Sequence, residues 1–362
     1  MTKVKKKEKT GVDKILEDLE KKFGLKKAPQ EDYTIVSTGS LQLNQAMGIG
    51  GTAVGKIIEL LGPESSGKST ITLHQIAEYQ KAFPSRKVAL FDYEHAFDKK
   101  YASNLGVNVN ALLLYQPETM EQGYDMIISL TQNELVSCVV IDSQSAAQPK
   151  AMLEGAMGDA TIGLQARINS KFCLKIKSLL DIHKVSLFFI SQLRDNIGGM
   201  GDPTTTTGGK AIKFYADVRW KVWKLNDKAN ELNKTTIVVI KNKLAAPFSE
   251  AKINIVWGYG FDKLGELIDY AVEFDLLEKG GAGWFTLSNG KKLQGMEKMQ
   301  DYFEENYEEL EKLEKDVLTK LYPKEIENIE AIEENVESDM NIDTNEQLNI
   351  FKLKKENNES TD

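Results

Sequence analysis

The residues with the most definite chemistry form one run, Gly62-Pro63-Glu64-Ser65-Ser66-Gly67-Lys68-Ser69, followed by Thr70. The run satisfies G-x-x-x-x-G-K-[ST] in full. It follows the apolar stretch Ile57–Leu61 and precedes the helical pattern Thr70–Tyr79, the strand-loop-helix setting that gives such a pattern its meaning. Glycines let backbone N–H groups turn toward phosphate oxygens, and a helix N-terminus adds a favourable dipole. Lys68 is placed to reach the β- and γ-phosphates of ATP, and the Ser69 hydroxyl to hold Mg²⁺. ATP and Mg²⁺ are therefore the expected cofactors.

Three further groups suit the same chemistry. Cys138-Val139-Val140-Ile141-Asp142 reads as an apolar strand ending in a carboxylate that binds Mg²⁺ through its water shell. Standing alone it would be an ordinary buried strand. In Phe91-Asp92-Tyr93-Glu94-His95, Glu94 sits where it can orient and polarise water for hydrolysis, and Asp92 is its local competitor. The lone His95 reads as a packed or solvated side chain. Ser191-Gln192 closes another strand, where a glutamine amide can sense the γ-phosphate. Ligands of doubly wound sheets collect at the carboxyl ends of strands, so these groups can converge on one nucleotide.

The elements that must position them lie in residues 33–263. Strand candidates are Ile57–Leu61, Val88–Tyr93, Cys138–Asp142, Leu187–Ser191, Arg219–Leu225, Thr236–Lys241 and Ile253–Trp257. The first four alternate with helical stretches, which predicts an α/β domain with a mostly parallel sheet. The later strands lack intervening helices and predict an antiparallel extension. Residues 1–32 form a leading segment with Val12, Ile15, Leu16, Leu19 and Phe23 at helical spacing. That apolar face packs either on its own core or on a neighbouring subunit. Residues 264–322 read as a small α+β module: a helix near Leu264–Phe274, a turn at Gly280–Gly283, a hairpin around Asn289–Gly290 and a helix near Met296–Leu321. Residues 323–362 are rich in Glu, Asn and Asp without sustained periodicity, and predict disorder.

The formal net charge of −8 misleads about the body. Residues 323–362 hold twelve of the 54 acidic and four of the 46 basic side chains, which leaves a body balanced at 42 of each. Local placement of charge therefore matters more than the total. The only two cysteines, Cys138 and Cys173, allow neither a disulfide framework nor a zinc spacing. No apolar run is long enough to span a bilayer, and the lysine-rich start has no apolar stretch behind it. These features predict a chain without membrane partners, at work in the cytoplasm.

The motifs GPESSGKST, FDYEHAFD, VVIDS, ARINSK, TTTTGGKAIKFYADVR and KNKLAAPF resemble, in the same order, those of bacterial RecA recombinases. The resemblance runs from about Gly11 to Tyr322, and a phage-encoded member would look much the same. It implies a RecA-type ATPase core with a small N-terminal segment and a C-terminal α+β domain. The implied activity is DNA-dependent ATP hydrolysis coupled to homologous pairing and strand exchange, by a filament assembled on single-stranded DNA that then engages double-stranded DNA. Two alternatives stand beside it: a ring-helicase motor, which usually needs an arginine finger, and a filament that only protects single strands.

By the same resemblance, Glu94 is the catalytic glutamate and Gln192 couples nucleotide state to a DNA loop. Tyr101 stacks near the adenine, Asp98 contacts its edge, and Trp257 stands where the family usually has a tyrosine. Lys241 and Lys243 reach the γ-phosphate from the adjacent subunit, and Phe214 lies at the subunit interface. The glycine-rich stretch 154–163, with Gly155 and Gly158, corresponds to the family's first DNA loop, and 196–209 to its second. Ile162 and Ile197 insert between bases, while Arg167, Arg194, Gly208 and Gly209 contact the backbone. Leu174 replaces a frequent phosphate-binding arginine, and Lys175 beside it substitutes. The chain has only four arginines, and Arg167, Arg194 and Arg219 fall in or beside these segments, where a planar donor fork suits phosphate. Lys279, Lys291 and Lys292 offer a basic surface to duplex DNA, and the acidic tail competes with DNA for such surfaces.

Overall fold

The computed structural model describes residues 33–156, 163–195, 204–206, 208–224 and 233–323, with positions 15, 19 and 22. The expectations for Gly158, Ile162, Ile197 and the tail lie outside the described residues. Strands β1 (Ile35–Val36) and β2 (Thr52–Ala53) pair antiparallel and bracket helix α1 (Leu41–Met47). The chain then alternates through β3 (Ile57–Gly62), α2 (Lys68–Ala82), β4 (Lys87–Asp92), α3 (Lys99–Asn104), β5 (Leu112–Tyr115), α4 (Met120–Gln132) and β6 (Val136–Asp142). Helices α5 (Lys150–Glu154) and α6 (Leu164–His183) lead to β7 (Ser186–Asp195). Beyond them come β8 (Thr204–Thr206), α7 (Ala211–Tyr215), β9 (Val218–Lys224), β10 (Asn233–Asn242), β11 (Glu250–Val256) and β12 (Gly260–Phe261).

The main sheet has the order β12-β11-β10-β9-β3-β7-β6-β4-β5. The run from β9 to β5 is parallel, and β10, β11 and β12 extend it antiparallel. This is the expected α/β class. The edge strand β5 and the short strands β1, β2, β8 and β12 were not foreseen. Strand β7 continues past Ser191 because Leu193–Asp195 pairs with β8, inside the stretch expected to be loop.

Strands β3 and β6 are apolar almost throughout because helices cover both faces. Ile58, Leu60, Val140, Phe188 and Trp220 pack beneath α1, α2 and α3. Ile57, Val139, Ile141, Leu187 and Phe189 pack beneath α4, α6 and α7. One polar group interrupts that second face. Glu59 and Arg219 are 1% and 7% exposed, with Arg219 Nε donating to Glu59 Oε2 at 2.5 Å. The Ser191 hydroxyl donates to the other carboxylate oxygen at 2.9 Å, so the buried carboxylate has partners on both sides.

A third core gathers α8 (Lys263–Glu273), β13 (Glu278–Lys279), β14 (Trp284–Thr286), β15 (Lys292–Gln294), α9 (Met296–Glu305) and α10 (Tyr307–Leu321). The helix expected over Met296–Leu321 is two helices, broken at Asn306, whose side-chain amide donates back to the Tyr302 carbonyl at 2.7 Å. The break lets Leu313 and Val317 turn onto Met299, Tyr302 and Phe303, which one straight rod would not allow. Helix α8 docks on α1, where Glu266 accepts from the Ser40 hydroxyl and the Leu41 N–H, both at 2.8 Å. Burial pushes the Glu266 carboxyl up to about 7, against the pull of those bonds. No helix among the described residues is long and apolar enough to cross a membrane.

Candidate functional site

The sheet register brings the chemistry together. Gly62 lies opposite Gln192, and Asp92 opposite Asp142, so the ends of β3, β6 and β4 come together beside Ile190–Gln192 of β7. A cleft of ≈ 490 Å³ opens there, lined by residues 64–70, Glu94, Tyr101, Asp142, Gln192 and Trp257, a size that suits a nucleotide. Lys224, Thr235 and Ile255 also line it. They were not anticipated, because they reach the cleft from β9, β10 and β11, far along the chain. Gly62 and Pro63 do not line the cleft; their carbonyls accept from Lys68 Nζ at 3.1 and 2.6 Å. Burial lowers the Lys68 pKa, opposed by the charges of Asp142, Glu94 and Glu64. Gly67 caps α2 with φ 95, and a Cβ there would press on Ile255 Cδ1 at 2.9 Å, so the turn is closed to other residues.

Ser69 Oγ donates to Asp142 Oδ2 at 3.0 Å. Burial pushes the Asp142 carboxyl up to about 7, Glu94 adds to the rise, and the Ser69 bond and Lys68 oppose it. A hydroxyl and a carboxylate side by side are hard oxygen donors, the kind that hold Mg²⁺ together with phosphate oxygens and water. With Lys68 next to them, these residues fit a nucleoside triphosphate and its divalent cation.

Glu94 is exposed to the cleft, and its Oε1 accepts from Gln192 Nε2 at 2.9 Å and from the Ser143 hydroxyl. The competition with Asp92 is decided by geometry. Asp92 is buried and accepts from the Ala96 and Phe97 N–H groups at 3.3 and 3.2 Å and from the Gln116 amide at 3.1 Å. It shapes the loop, leaving Glu94 to face the cleft, while His95 stays outside the lining. Tyr101 meets Thr70 through their hydroxyls at 2.8 Å. Asp98 does not line the cleft; its Oδ1 caps α3 by accepting from Lys100 N and Tyr101 N at 2.8 and 3.0 Å. Trp257 is 88% exposed at the rim.

Lys241 and Lys243 are absent from this lining. They lie at the far end of β10, which runs antiparallel to β9, so Lys241 pairs with Arg219 and Asn242 with Val218 at the start of β9. Lys241 Nζ donates to the Lys213 and Phe214 carbonyls at 2.9 and 3.0 Å, closing the C-terminus of α7. Lys243 Nζ is 3.1 Å from Asp217 Oδ1, and Lys177 holds the other carboxylate oxygen. Asp217 N–H in turn bonds the Ile57 carbonyl, at the beginning of β3. Phe214, 67% exposed, lies on the same face.

Helix α6 carries Arg167 and Lys175, both exposed, and Lys171 between them at the same helical phase. Lys171 was not singled out in advance, although its i+4 spacing from Arg167 signalled it. Leu174 beside them is exposed. Gly155 ends α5. Arg194 lies in β7, in register with Thr205. Gly208 and Gly209 take φ values of 82 and 85 and pack against α6, where a Cβ on Gly209 would come within 2.5 Å of Ala166 Cβ. Lys279 and Lys291 in the C-terminal module lie over the rings of Phe285 and Tyr302, at 5.8 and 4.1 Å from their centroids, and Lys292 opens β15.

Comparison with known proteins agrees with this geometry. The family described as RecA N-terminal domain matches residues 10–262, and RecA C-terminal domain matches 265–322. Protein RecA of Bacillus thuringiensis (strain Al Hakam) is 42% identical over 306 residues, covering 82% of this chain and 88% of the relative. Protein RecA of Chlorobaculum tepidum is 47% identical over 277 residues, covering 75% and 79%. Protein RecA of Halalkalibacterium halodurans is 40% identical over 317 residues, covering 84% and 90%. With both family domains matched in order around an intact phosphate loop, the chain belongs to the RecA family of recombinases, which are DNA-dependent ATPases.

Proposed function

We propose that this chain forms a head-to-tail filament on single-stranded DNA in the cytoplasm, hydrolyses ATP between neighbouring protomers, and exchanges the bound strand with a homologous duplex. Residues 33–263 act as the ATPase and DNA-binding core, 264–322 attract duplex DNA, and 1–32 dock on the neighbour. Ile15 and Leu19, 61% and 45% exposed, support that docking.

Lys68 and the loop N–H groups hold the phosphates, with Ser69 and Asp142 as the Mg²⁺ side of the site. Ser69 and Asp142 would hold Mg²⁺, which would supply positive charge against the charge that develops on the phosphate. Glu94 orients the attacking water and accepts its proton. Lys241 and Lys243 belong to the next protomer's site, since topology sets them at the opposite end of the sheet from their own cleft. Two cations supplied only on assembly confine fast hydrolysis to the filament.

The observation that carries the reading is the Gln192–Glu94 hydrogen bond at 2.9 Å. It joins the water-orienting carboxylate to the strand that runs into segment 196–209, so nucleotide and DNA act on one element. Hydrolysis measured with and without single-stranded DNA tests this. Wild type is stimulated, Glu94→Gln is inactive in both conditions, and Gln192→Ala keeps DNA-free turnover but loses stimulation. Stimulation preserved in Gln192→Ala would overturn the coupling.

A further inference from the structure

Residues 143–145 follow the Mg²⁺-side carboxylate, and each touches a different part of the machinery. The Ser143 hydroxyl donates to Glu94. Ser145 Oγ accepts from the Gln192 backbone N–H at 3.0 Å. Between them Gln144 is 0% exposed, and among the described residues neither its Nε2 nor its Oε1 has a hydrogen-bond partner. Its amide lies against Gly208, so that a Cβ on that glycine would collide with Nε2.

Helix α6 clamps both sides of this contact. Gln165 Nε2 donates to the Gln144 and Ala147 carbonyls at 3.1 and 3.0 Å. Asn169 Nδ2 donates to the Gly208 carbonyl at 2.8 Å, and its Oδ1 accepts from the Tyr124 hydroxyl at 2.7 Å. An apolar side chain of the same length would leave no unpaired amide at this position. A buried amide with both groups unpaired is the arrangement folded proteins avoid, and each such group calls for an explanation.

We propose that Gln144 is a positioning residue that couples segment 196–209 to the nucleotide site, with its amide held as a donor–acceptor pair for a rearranged backbone around Gly208 when DNA is bound. Gly208 lacks a Cβ, so its peptide groups can approach the amide. Any arrangement that offers them is favoured, because it satisfies two buried polar groups at once. The shift reaches Glu94 through Ser143 and Gln192 through Ser145, one residue to either side. The inference rests on the reading that segments 154–163 and 196–209 hold DNA. It adds a second contact between that surface and the catalytic carboxylate, independent of the Gln192 side chain.

The test is Gln144→Met, which keeps the length and removes the hydrogen bonds. Three quantities are read: the thermal midpoint, hydrolysis with and without oligo(dT), and affinity for fluorescent oligo(dT) with a non-hydrolysable ATP analogue against ADP. The expected midpoint is at or above wild type, and DNA-free hydrolysis stays within about twofold. Stimulation by oligo(dT) falls at least about tenfold, and the affinity ratio between the two nucleotides shrinks in parallel. Stimulation within about twofold of wild type would overturn the proposal. So would lost stimulation with a lowered midpoint, which would make the amide a packing element. A wild type that oligo(dT) does not stimulate would overturn the underlying DNA reading as well, which separates the two failures.

Discussion

Mixing two inactive variants makes the placement of Lys241 and Lys243 directly testable. Lys243 is tied through Asp217 to Ile57, the first residue of β3, while the phosphate loop begins after Gly62, the last. Five residues of strand at about 3.3 Å each separate the two ends by about 17 Å, farther than a lysine side chain extends. A protomer therefore cannot serve its own phosphates with these lysines, whereas a head-to-tail contact brings each pair to the next cleft. Lys68→Ala lacks a working phosphate loop but keeps both lysines. Lys241→Ala/Lys243→Ala keeps the loop and lacks the cations. Mixed one to one on single-stranded DNA, half of the clefts have an intact loop and half of those face an intact neighbour, so hydrolysis recovers to about a quarter of wild type. The assay is DNA-stimulated phosphate release, with labelled subunits to verify co-assembly. Co-assembled filaments that remain inactive would refute the reasoning, because lysines acting on their own subunit's nucleotide give no recovery at any ratio.

Other consequences follow from buried and surface charge. Arg219→Met leaves Glu59 buried without its charged partner and lowers stability by about 3–5 kcal/mol in urea melts, whereas adding Glu59→Met restores most of the loss; equal losses in the two variants would contradict the pairing argument. The folded Glu266 carboxyl keeps its proton up to about 7, whereas the unfolded one releases it near about 4.3. The folded chain thus binds more protons in that window, and stability falls as pH rises through it, by at most about 1.4 kcal/mol per unit. Glu266→Gln flattens this slope between about pH 4.3 and 7, and an unchanged slope would point to another group. Lys171→Gln lowers the salt slope of single-strand binding by about 0.7 if α6 tracks the phosphates, and an unchanged slope would remove that helix face from the DNA path.

The cleft was legible because its chemistry is local. One loop and the last residues of three apolar strands identify it, and a parallel register brings them together without further information. What escaped depends on contacts between distant segments. Glu94 was preferred from the sequence, but the Ala96, Phe97 and Gln116 donors that occupy Asp92 were not visible there. Asp98 looks in sequence like any exposed acid after a loop, yet its oxygen caps α3. Gln144 lies outside every motif and Asn169 inside one that gave it no role, and only the fold sets them against Gly208. Strand β5 is a four-residue apolar run, too short to separate from a helix fragment by periodicity. The break at Asn306 was hidden because both flanking helices share one amphipathic pattern, and the need to close a small core bends the chain there.

The central claim is strand exchange directed by base pairing, and one measurement meets it head on. Circular single-stranded DNA is incubated with the protein, ATP and Mg²⁺, then challenged with a linear duplex that is either homologous or unrelated, and joint molecules are counted. The account predicts joint molecules with the homologous duplex alone, abolished in Lys68→Ala. Filaments that hydrolyse ATP on the single strand yet give no joint molecules with the homologous duplex would contradict it, and would leave a protein that coats DNA without exchanging it.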